Sequence, residues 1–528
     1  MAIDTTTFVP PSKPPAVVEK KLPGYAGEAI SVTSGQWHYV LTGNSLLPPQ
    51  VLRGILAAAT DPRLAVQAVS DAYRKAGYFL VAVTAQVETP ADAEQASSSA
   101  VRTVTIRVVE GRISQLDAPP AEQPYFAGLQ HNPTLTESDV TRAAVQASDF
   151  AARNGERLQV GFAPAEQPGG SALRVEATPA PDFKPVNGTL LLGNYGSRYT
   201  SSYVAGANVA AHPGGGVELT ANYLAGLPNW SRDSRGSQYH LFGVGASVVT
   251  PYGTYGINAQ KTKYQLGRIS YPLNTAGEVQ TVGLSGSQLL FANARTQLSL
   301  VEGFNHVLNR STVFGGAYTL TDQRYDYASL GLKYTQGYSL AGLGGALIAS
   351  YTYNRGTKAR SGTFLLSAAP TAPNPLFHYT TLNLSLQQQL PHGYLAQLTL
   401  NGQRALDTLP QQQQWVIGGL GNLSAYNSGL AVGDTGYALR ASVQAPTRQF
   451  GPFSLTPNVF VEHAAAHYQF VPSAWQRATD IGVGLNLSTR FGTTLTALYA
   501  APIKRQNIPA ATAQGLRATV FVILQQSF

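Results

Sequence analysis

Residues able to carry chemistry are sparse in this chain of 528 residues. Glu462, His463 and His467 come closest to a site. On a strand the two imidazoles, four positions apart, share a face, and an acid stands beside them. That spacing is compatible with a metal pair, but such histidines more often line a lumen or a loop, and no metal is expected. The chain has nine histidines. None stands with a Ser or Asp in a motif that builds a nucleophile and its base, so no catalytic set is expected. Gly214-Gly215-Gly216 is followed by neither a helix nor a Lys and reads as a turn, not a phosphate loop. With no cysteine, neither a disulfide framework nor a thiolate metal site can form. No cofactor is implied.

Charge and hydropathy point elsewhere. The net charge is +8, yet the basic residues are scattered, with only short pairs such as Lys20-Lys21 and Lys504-Arg505. No phosphate-binding stripe is visible, so the charge is assigned to solvated loops and a polar lumen, and no nucleic-acid partner is expected. Charged residues make up 12 % of the chain, about half the usual ~25 %, while mean hydropathy is only −0.07. Few charges without overall greasiness is the signature of strands that face lipid and lumen alternately. No stretch of about 18 apolar, uncharged residues reads as a spanning helix. The nearest, Leu340–Tyr353, is short and Gly-rich. Met1–Val9 lacks the basic and apolar regions of a secretory signal, so the chain is expected to be a mature form with Met1 added.

The elements that must position any site fall into two textures. Residues 1–28 are Pro-rich (Pro10, Pro11, Pro14, Pro15) and read as an arm or linker without a well-formed plug helix. Residues 29–119 read as a small α+β domain. It has a strand at Trp37–Leu41, a helix opened by Pro48-Pro49, and a second helix over Asp61–Lys75 with Leu64, Ala65, Ala68, Val69, Ala72 and Tyr73 on one face. Gly77 stops that helix, and strands at Phe79–Gln86 and Val101–Val109 follow. Residues 120–185 repeat the pattern: a helix over Glu137–Arg153, begun by Thr136 with Asp139 as a capping box, then strands at Leu158–Phe162 and Ala172–Ala177.

From residue 186 to 528 helical periodicity vanishes. Leu382, Leu384 and Leu386 interleave with Asn383, Ser385 and Gln387. Ile481, Val483 and Leu485 interleave with Gly482, Gly484 and Asn486. Roughly 16 strands at a mean spacing of about 21 residues exceed the ~8–12 of soluble sandwiches and suit membrane strands with one long loop each. The 27 tyrosines suit aromatic girdles. The last strand ends in Phe528, a terminal aromatic of the kind that signals barrel assembly, although Gln526 sits where that signal prefers an apolar residue. The fold expected is a transmembrane antiparallel β-barrel of about 16 strands preceded by two small α+β domains.

This order resembles the two-partner-secretion transporters (TpsB proteins, the haemolysin secretion/activation family) over nearly the whole chain. The small domains then correspond to polypeptide-transport-associated (POTRA) modules. Asp71–Tyr78 resembles the helix-end motif of the first module, Val109-Glu110-Gly111-Arg112-Ile113 its last strand, and Phe162–Leu173 the hairpin of the second. The most specific likeness is Ile417-Gly418-Gly419-Leu420-Gly421-Asn422-Leu423-Ser424-Ala425-Tyr426, followed by Gly433-Asp434-Thr435-Gly436-Tyr437. It resembles the family's long inward-folded loop, here 407–434, between the eleventh and twelfth strands. The family's Val-Arg-Gly-Tyr tetrad reads Leu423-Ser424-Ala425-Tyr426, so Ser424 replaces an Arg that, in the family, reaches a carboxylate on the barrel wall. The wall motif resembles Phe460-Val461-Glu462-His463, with Glu462 at the acidic position. A Ser424 hydroxyl on Glu462 would be a weaker, neutral donor. Arg440, Arg404 and His463 are the alternatives for the missing charge.

The resemblance implies an integral outer-membrane protein of a Gram-negative cell, with its modules in the periplasm and no enzymatic activity. It would recognise a secreted exoprotein client (TpsA-like, encoded beside it) and pass it through the barrel. Client docking by β-augmentation would use strand residues Phe79, Val81 and Val83, and Leu158, Val160 and Phe162. Further partners implied are the barrel-assembly machinery for its own insertion and outer-membrane lipid or lipopolysaccharide. The alternatives are an assembly or insertion factor for other surface proteins, which needs a lateral seam between first and last strands, and a passive channel or receptor.

Overall fold

A computed structural model describes residues 27–88, 101–166, 169–270, 273–360, 373–374 and 376–528. All but the end of the Pro-rich arm, and with it any plug helix, lies outside these residues. The chain divides into two compact units, one ending at Phe183 and the other running from Lys184 to Phe528 apart from the turn at Phe291–Ala294.

The first unit holds two sheets. In the first, the order is Ile30–Ser34, Trp37–Thr42, Arg102–Glu110, Val81–Val87, and Trp37–Thr42 runs parallel to Arg102–Glu110. Helices Pro49–Ala58 and Pro62–Lys75 cover it. Proline opens both, where its missing N–H costs nothing, and Asp61 caps the second through Arg63 N at 2.7 Å. Ala65, Val69 and Tyr73 are buried with Tyr39, Leu41, Val104 and Ile106. Leu64, expected on the same face, is instead 53 % exposed, because the stripe that meets the sheet is narrower than the apolar pattern. The second sheet is ordered Arg112–Asp117, Gly170–Pro179, Glu156–Pro164. Its helix, Glu137–Arg153, carries both halves of the Thr136–Asp139 capping box. Arg112–Asp117 therefore pairs in the second sheet and not in the first module, where the sequence reading had placed it. The handover falls at Gly111, whose N–H still bonds Leu80 O at 2.6 Å while Arg112 N already bonds Gly169 O at 3.2 Å.

Sixteen antiparallel strands close the second unit into a barrel, from Val186–Gly193 to Val520–Ser527. The short piece Arg448–Phe450 prolongs Thr435–Gln444, since both pair with Phe453–His467. Connections at one end are tight turns, such as Gly214–Val217, Thr250–Gly253 and Leu340–Leu343. At the other end most are long, as in the segment joining the strands that end at Ala405 and begin at Thr435, the strands that end at Val313 and begin at Tyr318 being joined by a short turn. Val461, Ile481 and Val483 face outward and are exposed, whereas Phe460, Glu462, Ala464 and Ala478, one residue out of phase, face inward and are buried. This is the period-two alternation of a wall between lipid and lumen. Closure joins Ile523–Ser527 to Thr189–Gly193. The Asn194 side chain extends the seam, donating to Val520 O at 2.9 Å and accepting from Val522 N at 2.7 Å. At the other end Gly188 and Phe528 exchange backbone hydrogen bonds of 3.2 and 3.1 Å. Gln526, polar where an apolar residue was expected, accepts from Thr493 Oγ1 at 2.6 Å and donates to Phe491 O at 2.9 Å. Among the described residues no helix is long and apolar enough to cross a membrane, which says nothing about strands.

Candidate functional site

The long loop folds against the inner wall. Its two short strands, Trp415–Ile417 and Ala431–Gly433, pair with each other and hold a compact tip between them. Gly418 and Gly419 have φ of +99° and +98°, a conformation in which a side chain is strained. Gly419 N closes the tip on Tyr426 O at 2.8 Å. Leu423, Ala425 and Tyr426 are buried in one cluster with inward-facing Phe460, Ala464, Ala466, Ala478, Leu498 and Phe521.

Two consecutive backbone amides anchor this tip to two carboxylates. Ser424 N donates to Glu462 Oε2 at 2.6 Å, and Ala425 N donates to Asp480 Oδ2 at 2.7 Å. The Ser424 hydroxyl adds the weaker bond expected of it, to Glu462 Oε1 at 3.2 Å. Glu462 and Asp480 stand opposite each other on neighbouring strands, and both are fully buried. Behind the tip, Asn427 N bonds Leu516 O at 2.7 Å and Ala518 N bonds Ala425 O at 2.9 Å. The tip is thus held between the wall and the segment joining the last two strands. Sequence reasoning passed over Asp480. Its signal was an acid on the lumen phase of Ile481–Leu485, one strand beyond Glu462.

Of the three candidates for the missing cation, the structure selects Arg440. It lies directly across the register from Glu462 and its Nη1 pairs with Glu462 Oε1. Its guanidinium also lies 3.9 Å from the centre of the Phe460 ring, a stacked and paired geometry that Lys cannot reproduce. His463 faces the opposite way, bonding Tyr437 OH at 3.1 Å and Thr479 Oγ1 at 2.8 Å. His467 stacks on Trp475 at 4.9 Å. Both imidazoles thus have partners other than a metal. Arg404 is set opposite Thr380, away from Glu462.

The loop has a second attachment at its base. Gln413 accepts from Tyr379 OH at 2.7 Å and donates to Tyr325 OH at 3.1 Å. Leu409 is buried with Val307, Tyr325, Phe377 and Tyr379. Asp407 receives His378 Nδ1 at 2.7 Å and Asn374 Nδ2 at 2.9 Å. Asp434 accepts Gln469 N at 2.9 Å. Gly436 and Tyr437 belong to the wall strand Thr435–Gln444 and not to the loop proper. A Cβ on Gly436 would lie 2.0 Å from the Trp415 ring, so glycine there makes room for the loop's first strand.

In the first unit the two expected docking strands, Val81–Val87 and Glu156–Pro164, are each an edge of their sheet. Phe79 lies outside its strand, which begins at Val81. Its ring meets Phe162 edge to face at 5.4 Å, so these two aromatics pack on each other. Val81, Val83 and Val160 are half-buried, and Leu158 is buried. The motif residues Tyr73 and Glu110 also meet: Tyr73 OH donates to Glu110 Oε1 at 2.8 Å. Glu110 further accepts Leu46 N at 2.9 Å and Ser45 N at 2.7 Å, together with the Ser45 hydroxyl. Burial and then this carboxylate hold the Tyr73 phenol far above its ordinary range.

Comparison with known proteins places this arrangement. The family of the haemolysin secretion/activation proteins ShlB/FhaC/HecB matches residues 169–487. The heme/hemopexin transporter protein HuxB of Haemophilus influenzae is 23 % identical over 474 residues, covering 82 % of this chain and 76 % of HuxB. Among solved structures, CdiB from Escherichia coli superposes with a TM-score of 0.74 at 18 % identity, over 98 % of this chain and 94 % of CdiB. CdiB from Acinetobacter baumannii gives 0.69 at 14 % identity, over the same shares of the two chains.

Proposed function

Since this chain belongs to the haemolysin secretion/activation family and is an integral outer-membrane transporter that moves a partner protein by two-partner secretion, we propose that its long loop is the moving part and its edge strands are the client reader. The modules lie in the periplasm. The unfolded client adds a strand to Val81–Val87 or Glu156–Pro164, where main-chain bonds give affinity and alternate side chains give specificity. It then passes a lumen whose inward positions include Asn208, Thr220, Asn222, Asn258 and Gln260. These amides and hydroxyls can exchange hydrogen bonds with any extended backbone without selecting for charge. No nucleotide or metal is implied. Folding outside makes export irreversible.

The observation that carries this reading is the anchoring of Ser424 and Ala425 to Glu462 and Asp480 on the inner wall. A loop held inside the lumen must shift before a chain can pass. The client is the exoprotein encoded beside this gene. The barrel itself is inserted by the barrel-assembly machinery.

The test is secretion of that exoprotein by cells with the intact gene, with none, and with residues 29–179 deleted. Appearance of the exoprotein in the medium only with the intact gene supports the proposal. Unchanged export accompanied by loss of other barrels or surface fibres refutes it in favour of an assembly factor. A size-selective solute flux with no client refutes it in favour of a passive channel.

A further inference from the structure

Basic residues that look scattered along the chain are gathered by the barrel register. Lys261 and Lys263 lie on Gly253–Gln265, Arg310 on Thr296–Val313 and Arg324 on Tyr318–Leu340. All are near the long-loop ends of their strands. They share the outward phase of Ile257, Phe304 and Leu330, which are exposed. Lys263, Glu278, Leu308, Arg310 and Arg324 line one groove of about 590 Å³.

The charges there do not cancel. Glu278 is shared by Lys261 at 2.7 Å and Lys263 at 3.6 Å, and Arg324 Nε lies 3.6 Å from Asp322. Arg310 makes no ion pair among the described residues. Lys261, Lys263, Arg310 and Arg324 thus meet two carboxylates, Glu278 and Asp322, the next acid, Asp326, being paired with His306, and Lys263 is 61 % exposed. Beyond the His306–Asp326 pair, toward the short-turn end, the same face turns mostly apolar: Ile257, Val282, Leu284, Phe304, Leu330 and Leu332 are all exposed, with Glu302 opposite Leu330. In a barrel with short periplasmic turns, this places the cations at the outer-leaflet boundary with the apolar wall below them.

We propose that this groove binds a phosphate of an outer-leaflet phosphorylated glycolipid of the lipid A class. The phosphate meets Lys263, Arg310 and Arg324, and the acyl chains lie along the apolar wall. Arg and Lys at a polar–apolar boundary suit a phosphorylated amphiphile, because one end of the ligand needs charge-assisted hydrogen bonds and the other needs a dry surface. The mostly apolar wall that begins below the His306–Asp326 pair favours a lipid over a soluble anion or an acidic peptide.

The test uses the full-length protein, delipidated in detergent, with binding read as a thermal shift and by native mass spectrometry. The ligands are bisphosphorylated lipid A, the same lipid dephosphorylated, inorganic phosphate and an acidic peptide. Bisphosphorylated lipid A is expected to raise the unfolding temperature of the wild type, with affinity falling as salt rises, and the other three are expected to do little. Lys263→Ala/Arg310→Ala leaves Glu278 paired with Lys261 and is expected to weaken binding about tenfold or more. Its lipid-free unfolding temperature reports whether it folds. If it does not fold, the salt dependence and the dephosphorylated lipid decide the question on the wild type. Equal binding of the dephosphorylated lipid, an unweakened folded double variant, or saturation by inorganic phosphate or the peptide alone would each overturn the proposal.

Discussion

Arg440 and Glu462 face each other across adjacent wall strands, and the carboxylate between them also receives the Ser424 amide of the loop. Glu462 is fully buried, whereas the Arg440 side chain is 21 % exposed. Removing one partner of such a pair leaves a poorly compensated charge, at about 3–5 kcal/mol. Arg440→Ala and Glu462→Gln should each lower the temperature at which the barrel loses its folded electrophoretic mobility. Each should also expose the loop tip to protease in intact cells. Protection equal to wild type would show that the loop does not depend on this pair.

A charge relocation follows from the same geometry. Ser424 is fully buried, so Ser424→Arg alone should destabilise the tip by crowding Arg440. In the Arg440→Ala background the same substitution should recover much of the lost stability, because the guanidinium returns to Glu462 from the loop side. A double-mutant cycle on unfolding temperature measures the coupling. Additive effects would contradict this expectation.

In the first sheet, Tyr73→Phe keeps the buried ring and deletes only its bond to Glu110. The expected cost is about 1–3 kcal/mol, toward the lower end because Glu110 keeps three other donors. It should appear as a lower first transition in calorimetry of the full chain, with the barrel transition unmoved.

Glu122 gives a pH dependence. Burial first, and the neighbouring Glu156 after it, raise its carboxyl above the ordinary 4.5. A raised acid binds its proton more tightly folded than unfolded. The stability it contributes is therefore fully present below pH 4.5 and is lost as pH rises through the folded value. Glu122→Gln should raise the melting temperature of the first unit at pH 7 and change it little at pH 4. A uniform gain across this range would contradict the assignment.

The barrel was legible because one rule, alternation between lipid and lumen, shows clearly in several strands, as at Leu382–Gln387 and Ile481–Ser488. The helices and their caps were legible for the same reason: Thr136 and Asp139 stand three apart and need nothing distant. Arg112–Asp117 was misplaced because a strand's choice between two sheets depends on edges far off in sequence. Arg440 remained one option among three because the contact with Glu462 is a matter of register, which sequence spacing does not fix. Asp480 went unmarked because its partner is a backbone amide, and an N–H donor carries no signature in residue type. The outward cation groove escaped for the first of those reasons: its cations, from Lys263 to Arg324, are up to 61 positions apart in the chain and adjoin only after the strands pair.

The loop is fastened twice, at its tip to Glu462 and Asp480 and at its base through Gln413 to Tyr325 and Tyr379. Where both fastenings must release together, their free energies add and their open fractions multiply. If each alone were undone about one time in a hundred, both would be undone about one time in ten thousand. Two modest clasps in series would thus keep a wide pore tight against leakage of small solutes. A client that loosens one of them would raise the open fraction a hundredfold without ever touching the other.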